Sequence, residues 1–363
     1  MTTSAKIFRR MGMLLCLGLL LGDLPLHAHE RETLHVVVVG DTGIGERGYR
    51  PGFLAVAEAM RKERADAILH LGDFVYQAQW FPRECPERYL DEIRRTLVAP
   101  YPVRIFVAGD NDLPPQKRKP KASGCWDKIA PMATPFDSLS GPVPAPLTGT
   151  MRLGNALFVV LNVYDWQDPS GWLSPIIKEA RDAGRWVIFA LHEPALTTAW
   201  YLEKRQTVLK QINALSPDLV FAGNQHAYER FHPMGIPRPD GSLPVAVKSV
   251  YAQGEGVTHI VAGGGGATFK PFADQQGKAK RTAPKTVFDA LAKRSLMFHY
   301  LTLKISHDFL IVQTYRVCPA PATHDDKQNP RWHADDPMWE NIVLECDGQP
   351  PGTALFDQIE IKK

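Results

Sequence analysis

Five short apolar runs along the chain each end in polar residues. Leu34 to Val39 is nearly all valine and stops at Gly40-Asp41, which is typical of a strand buried on both faces. Four further runs stop at Gly-Asp, at a histidine or at Gly-Asn: Ala67 to Leu71, Val103 to Ala108, Trp186 to Leu191 and Leu219 to Ala222. The pattern predicts five strands that carry polar side chains at their carboxyl ends.

Amphipathic stretches between these runs predict four helices: Gly52 to Arg64, Glu87 to Leu97, Trp172 to Ala183 and Tyr201 to Leu215. In the third, Ser174-Pro175 is typical of a helix start, and Gly184 of a left-handed stop. Strands that alternate with helices predict an α/β layered domain, with ligands in the crevice beyond the strand ends.

Toward the carboxyl end, two strand-like runs, Phe298 to Ile305 and Phe309 to Val317, flank Ser306-His307-Asp308 and predict a hairpin. Residues 318–363 are rich in Pro, Asp and Gln, so we predict an extended tail clipped by a disulfide, with no domain of its own. The main domain is then expected at residues 29–317.

Residues 1–28 have the pattern of a signal peptide. Basic residues from Lys6 to Arg10 precede an apolar stretch from Met11 to Leu21, and Ala28 ends an acceptable cleavage site. An uncleaved anchor helix is the alternative, but the stretch is shorter than the roughly 20 residues that span a bilayer. We therefore expect export to a periplasmic or extracellular location without a stable membrane anchor.

Composition adds two constraints. The 363 residues are 44% hydrophobic, an ordinary globular value, and three of the positive charges behind the net charge of +3 lie in residues 1–28. No nucleic-acid partner is implied, and the sequence carries no indication of an oligomeric state.

Export would leave four cysteines in an oxidising compartment, where three pairings are open. We favour Cys85 with Cys125 and Cys318 with Cys346, because each pair ties a loop segment to its own neighbourhood. A zinc site formed by these cysteines is the alternative, but the sequence has no C-x-x-C spacing.

The turns after the five strands carry the donors that hard or borderline cations prefer, namely carboxylate, amide, phenolate and imidazole. One Gly-Asp after a strand is usually only a turn. Here three such turns are joined by two histidine-bearing segments: Gly40 to Gly43, Gly72 to Tyr76, Gly109 to Asp112, His192, and Gly223 to Arg230. Their recurrence predicts a metal centre.

In this order the segments resemble those of calcineurin-like metallophosphoesterases, most closely the purple acid phosphatase branch. The shared motifs are G-D-x-G, G-D-x-x-Y and a final H-A-Y-E-R, within residues 40 to about 230, and the run Gly263 to Gly266 resembles a late small-residue loop. The resemblance implies a layered αββα sandwich of two mixed β-sheets flanked by helices, with the metal site at the strand carboxyl ends.

The resemblance also implies two metal ions about 3.5 to 4 Å apart. One ion would be held by Asp41, Tyr76 and His226, and the other by His192, Asp110 and Asn224, with Asp73 bridging them. A phenolate ligand from Tyr76 would favour ferric iron in the first site, with zinc, iron or manganese in the second.

Two positions depart from the family pattern. Asp110-Asn111 stands where the family has Asn-His, and Asn224 replaces a histidine. A slip of one residue would make Asn111 rather than Asp110 the ligand. The extra carboxylate and the lost imidazole should shift the second site toward harder ions such as manganese or magnesium.

The departures also affect the candidate catalytic residues. Asn111 occupies the place of a histidine that stabilises the transition state, and Glu193 is an alternative acid if it is not simply salt-bridged. Arg230 is a candidate phosphate contact, with an ion pair to Glu229 or Asp112 as the alternative.

The implied activity is hydrolysis of small phosphomonoesters by in-line attack of a metal-bound hydroxide. Two alternatives stay open: a phosphodiester or nucleotide substrate, and a non-catalytic secreted binding protein on a decayed metallophosphoesterase scaffold.

Overall fold

The computed structural model describes residues 33–45, 48–76, 85–114, 124–139, 147–248, 250–319 and 350–363. The expected signal peptide at residues 1–28 lies outside this part of the chain. Within it, no helix combines the length and apolar character that crossing a bilayer requires.

Strands account for most of the regular structure. In chain order they are β1 Leu34–Val39, β2 Ala67–His70, β3 Val103–Phe106, β4 Ser138–Leu139, β5 Gly149–Leu153, β6 Ala156–Val160, β7 Trp186–Leu191, β8 Leu219–Ala222, β9 Tyr228–Phe231, β10 Tyr251–Ala252, β11 Thr258–Ala262, β12 Leu291–Ser295, β13 His299–Ile305, β14 Phe309–Cys318 and β15 Gly352–Lys362. The α-helices are α1 Pro51–Lys62, α2 Glu87–Ile93, α3 Trp126–Ile129, α4 Ser170–Asp182, α5 Arg205–Ala214 and α6 Lys285–Ala290.

The strands form two mixed sheets. The first has the order β10-β15-β14-β13-β1-β2-β3, and the second β12-β9-β11-β8-β7-β6-β5-β4. Strands β1, β2 and β3 are parallel neighbours, as are β6, β7 and β8. Since parallel strands end at the same edge of a sheet, the turns after β1, β2 and β3 lie side by side, and so do those after β7 and β8.

Three apolar clusters define the layers. Alternate residues of β1 point to opposite faces: Val36 and Val38 join the cluster between the sheets, whereas Val37 and Val39 pack under the helices of the first sheet. The outer face of the second sheet packs against α4, α5 and α6. The predicted αββα sandwich is therefore confirmed.

Strand positions agree closely with the apolar runs, but one helix begins earlier than its pattern suggested. Helix α4 starts at Ser170, and Pro175 lies inside it. The Asp168 carboxylate accepts the Ser170 N–H at 2.9 Å, and the Ser174 hydroxyl donates to the Ser170 carbonyl at 2.6 Å. Asp168 thus anchors the amino end, while Gly184 stops the helix with φ 68°.

The carboxyl end differs from the expected tail. Strand β14 runs to Cys318, and β15 pairs with it antiparallel along its length. Asp357 of β15 accepts hydrogen bonds from Arg230 at 2.6 Å and from the Tyr228 hydroxyl at 2.8 Å. Residues 352–362 are therefore an integral strand of the first sheet that also contacts the second.

One predicted disulfide is present, between Cys85 and Cys125, whose Cα atoms lie 5.1 Å apart. It joins the start of α2 to the start of α3. The other predicted bridge involves Cys346, which lies outside the described residues.

Candidate metal centre

Three predicted ligands have an unusual backbone conformation. Among the described residues, five that are not glycine have positive φ, and these include Asp41 at 59°, Asp73 at 59° and Asn224 at 62°. Aspartate and asparagine tolerate this left-handed region better than other L residues. Each one follows a strand, and in Asp41 and Asp73 the turn brings the carboxylate to the two histidines of the centre.

Backbone hydrogen bonds hold the turn after β1 against the turn after β2. The N–H of Asp41 donates to the Gly72 carbonyl at 2.9 Å, and the N–H of Gly43 donates to the Asp73 carbonyl at 3.0 Å. The Tyr76 N–H donates to the Ile44 carbonyl at 2.8 Å. This pairing places Asp41, Asp73 and Tyr76 together.

The first predicted ligand group converges as the resemblance implied. The Tyr76 hydroxyl lies 3.1 Å from the Asp41 Oδ1 and 3.1 Å from the His226 Nε2. His226 Nε2 is 3.3 Å from the same Asp41 oxygen. The other ring nitrogen of His226 bonds the Thr268 carbonyl, which orients Nε2 toward the centre.

The second group forms around His192. Its Nε2 lies 3.3 Å from Asp73 Oδ1 and 3.5 Å from Asp110 Oδ1, while its Nδ1 bonds the Leu71 carbonyl at 2.6 Å. The amide of Asn111 instead donates from Nδ2 to Asp73 Oδ2 at 2.8 Å. In this geometry Asp110 faces the imidazole, and Asn111 orients the carboxylate expected to bridge the two ions.

Asn224 lies beside the first group through its backbone. Its backbone N–H donates to Asp41 Oδ2 at 2.8 Å, and its carbonyl accepts the Lys270 ammonium at 2.9 Å. The structure thus brings all seven predicted ligand residues to one place.

Asp112, the residue after Asn111, has a different role. It is fully buried and accepts four backbone N–H groups at 2.8 to 3.2 Å, from Asp73, Phe74, Val75 and Gly109. Its carboxylate therefore fastens the turn after β2 to the turn after β3.

The geometry of the ligand residues fits a bound cation, independently of the family resemblance. His192 Nε2 is buried and, among the described residues, faces the Asp73 and Asp110 carboxylates without a well-aligned hydrogen bond to either. Ligand atoms of Asp41, Asp73 and His192 lie within 4.8 Å of one another. A buried lone pair aimed into clustered carboxylates is costly without a proton or a cation between them.

The pKa shifts of His192 and Tyr76 in the protein without metal are also consistent with a cation site. Burial lowers the pKa of His192, but the Asp73 and Asp110 carboxylates outweigh it and raise that pKa well above its ordinary value. Burial, and then the charge of Asp41, raise the pKa of Tyr76. A cation would take the place of the His192 proton and reverse the effect on the phenol.

Glycines leave the space that this convergence needs. A Cβ on Gly43 would overlap the Tyr76 ring, one on Gly109 would lie 2.1 Å from Asp73 Oδ1, and one on Gly263 would lie 2.8 Å from Asp41 Oδ2. Gly263, the first glycine of the run Gly263 to Gly266, thus packs closely against the centre.

We expect Gly109→Ala to lower metal affinity by about 10- to 100-fold, the range seen when the supports of metal ligands are disturbed. Gly109 does not have positive φ, so the effect is steric displacement of the Asp73 carboxylate. Competition titration with a zinc chelator measures it. Gly171→Ala is the control, because nothing lies within 4 Å of its added methyl; equal affinities in the two variants would refute the steric account.

Two predicted catalytic residues lie in ion pairs. Glu193 binds Arg205, whose Nε donates to it at 3.1 Å, so the salt-bridged alternative describes it. Arg230 pairs with Asp357, and neither Glu229 nor Asp112 is its partner. The structure does not bring Arg230 to the centre.

Sequence reasoning missed two residues at the opening of the centre. The Tyr164 hydroxyl donates to Asp110 Oδ1 at 3.3 Å, and Lys270 reaches the Asn224 carbonyl. Each lies in a loop without a motif. Their position depends on contacts 54 and 46 residues apart along the chain, which no local pattern indicates.

Comparison with known proteins agrees with this geometry. The family description of calcineurin-like phosphoesterases matches residues 34–228, more than half of the chain. Two uncharacterized proteins from Mycobacterium tuberculosis strains are 33% identical over 119 residues, which is 30% of this chain and 22% of each of theirs. The chain thus aligns with only about a fifth of those relatives.

Solved structures show the same fold. A purple acid phosphatase from yellow lupin (Lupinus luteus) seeds is similar with a TM-score of 0.60 and 15% identity, covering 92% of this chain and 54% of that one. The structure of PhoD is similar with a TM-score of 0.53 and 11% identity, covering 91% and 70%.

Proposed function

Because this chain belongs to the calcineurin-like phosphoesterase family, we propose that it is a hydrolase that uses two metal ions to cleave phosphomonoesters. The observation that supports this most is the convergence of Asp41, Asp73 and His192 at one buried place. Two cations there would neutralise the phosphoryl oxygens and lower the pKa of water, which the side chains cannot do by themselves.

The residues of the chain prepare that centre. Leu71 accepts the Nδ1 proton of His192, so the lone pair stays on Nε2, and Asn111 holds the Asp73 carboxylate from one side. Lys270 adds a positive charge beside Asn224, where developing negative charge on a phosphoryl group would be stabilised.

In this proposal Asn111 also limits the chemistry. An amide donates a hydrogen bond but has no proton to release near neutral pH, and Glu193 is paired with Arg205. Esters with stable leaving groups, which depart without protonation, should therefore react fastest.

We further propose the purple acid phosphatase branch, with ferric iron at the Tyr76 site and zinc, iron or manganese at the second. The Tyr76 hydroxyl beside Asp41 and His226 supports a phenolate ligand. After iron loading we expect a visible tyrosinate-to-metal absorption band that Tyr76→Phe abolishes. Tyr201→Phe, a change outside the centre, should keep the band; a wild-type protein without it would contradict this assignment.

Export to a periplasmic or extracellular location is also proposed. The amino-terminal pattern and the Cys85–Cys125 disulfide support it, since disulfides persist in oxidising compartments. Fractionation of cells that express the full chain tests the location.

The central test is an assay on phosphate mono- and diesters with iron, zinc or manganese supplied. We expect turnover of monoesters that a chelator removes and metal restores. Selective turnover of diesters would favour the alternative substrate class. Stoichiometric metal without turnover of any ester would overturn the proposal in favour of a binding protein.

A further inference from the structure

A buried histidine lies between the two aspartate turns of the metal centre and is not one of the expected ligands. His70, the last residue of β2, is fully buried, and both of its ring nitrogens are hydrogen-bonded. Its Nε2 lies 2.9 Å from the Thr42 hydroxyl oxygen, and its Nδ1 accepts the Gly72 N–H at 3.2 Å. Thr42 follows the ligand Asp41, and Gly72 precedes the ligand Asp73. One side chain therefore contacts the chain neighbours of two expected ligands.

The two hydrogen bonds define the state of the His70 ring. A backbone N–H can only donate, so Nδ1 carries a lone pair and the proton of the neutral ring is on Nε2. Nε2 then donates to the Thr42 hydroxyl oxygen. Burial lowers the pKa of His70 well below its ordinary value, which keeps the ring neutral. The imidazole is thus a donor toward the turn after β1 and an acceptor toward the turn after β2.

The turn after β2 has an unfavourable backbone conformation. Gly72 has φ 95° and Asp73 has φ 59°, so two consecutive residues lie in the left-handed region. Aspartate adopts this region at a cost in free energy. The bond from the Gly72 N–H to His70 resembles an Asx turn, in which a side-chain oxygen accepts the N–H of the residue two positions later. His70 therefore supplies an acceptor that stabilises this conformation.

Residues 70–73 also support ligands from other strands. The Gly72 carbonyl accepts the Asp41 N–H at 2.9 Å, and the Leu71 carbonyl accepts a hydrogen bond from His192 Nδ1 at 2.6 Å. A rotation of the Gly72 peptide would displace the aspartate that follows it and would also move the acceptor of the Asp41 N–H. The conformation of this segment therefore affects ligands that follow three different strands.

Aromatic packing holds the His70 ring in place. The ring is stacked on Phe74 with centroids 3.6 Å apart, and the Phe106 ring lies edge-on with a centroid distance of 6.2 Å. Neither contact depends on a ring nitrogen. The substitution His70→Phe would therefore keep the packing and remove both hydrogen bonds, so the two roles of the side chain can be separated by experiment.

Resting on the proposed function, we propose that His70 is a positioning residue of the metal centre, which sets the geometry of Asp41 and Asp73 by fixing the Gly72 peptide and the Thr42 hydroxyl. It touches neither a metal ion nor the substrate. Its contribution is to metal affinity, because carboxylates that are held in the binding geometry before the ion arrives lose less conformational freedom on binding.

Competition titration of the full chain with zinc and a chelator measures this contribution. We expect His70→Phe to lower zinc affinity by about 10- to 100-fold. His70→Asn should recover most of that loss, because its side-chain oxygen can accept the Gly72 N–H in an Asx turn. Equal zinc affinities of the wild type and His70→Phe would overturn the proposal, and so would equal losses in the two variants.

His259→Phe is the matched control for the loss of a buried imidazole. His259 is 3% exposed, and its Nε2 bonds the Asn213 side-chain oxygen at 2.8 Å, between β11 and α5. We expect both phenylalanine variants to lower the melting temperature with a chelator present, whereas only His70→Phe lowers zinc affinity. An equally large loss of zinc affinity in His259→Phe would assign the effect to general destabilisation and overturn the proposal.

Zinc affinity also separates this inference from the proposed function. A wild-type protein that binds zinc but hydrolyses no ester with any metal would count against the proposed function, while the comparison of the variants would still decide the role of His70. Hydrolysis of monoesters together with unchanged zinc affinity in His70→Phe would overturn only the role of His70. A wild-type protein that binds no metal would overturn both.

Discussion

Asp73→Asn is expected to lower kcat by about a thousandfold and to leave less than the full metal content bound. Asp73 lies 3.3 Å from His192 Nε2, and its carboxylate is the one placed to join the two ligand groups. An amide offers one neutral oxygen where the carboxylate offers two charged ones, so it bridges cations poorly. A loss of about 4 kcal/mol of transition-state stabilisation corresponds to a thousandfold change.

Elemental analysis and steady-state kinetics on the same preparation measure both effects. Asp289→Asn is the matched control, since Asp289 is an exposed carboxylate paired with Lys285 on α6. We expect the control to keep wild-type kcat and metal content. An Asp73→Asn enzyme with undiminished kcat would place the chemistry elsewhere.

Asp112→Ala should destabilise the fold by about 4 kcal/mol, because it leaves four backbone N–H groups without their acceptor in a buried place. Each such group costs about 1 to 3 kcal/mol, and partial relaxation or water entry offsets part of the sum. For a chain of 363 residues the melting temperature is expected to fall by about 5 °C.

Asp110→Ala provides the comparison two residues away. The Asp110 side chain is 49% exposed, and surface substitutions usually change stability by no more than about 0.5 kcal/mol. The melting temperatures of both variants are measured with a chelator present, so that a difference between them does not arise from lost metal binding. A melting temperature for Asp112→Ala close to that of Asp110→Ala would show that the backbone donors find other partners.

The parts of the fold that were predictable have strong local patterns. The valines of β1 are buried on both faces, and the predicted bounds of β1, β7 and β8 match the structure. Strand β15 was missed because it pairs with β14 from the far side of the polar residues 319–351, and because the contact of its Asp357 with Arg230 spans 127 residues. Local composition does not report such long-range pairing.

The same distinction applies to the site. Residues in recurring turns, such as Asp41 and Asp73, were predictable because parallel strands deliver their carboxyl ends to one edge. The part played by Asp112 was not predictable, since it depends on backbone donors in another turn. Tyr164 and Lys270 were missed because they lie in loops whose contacts with Asp110 and Asn224 no motif records.

The position of the centre relative to the two sheets has a consequence for the whole molecule. Asp41, Asp73 and Asp110 follow strands of the first sheet, whereas His192, Asn224 and His226 follow strands of the second. Ions bound among these residues would link the first sheet to the second. The free energy of unfolding should then rise with the logarithm of the free metal concentration. The metal content of the compartment would therefore set the lifetime of the folded protein as well as its catalytic rate.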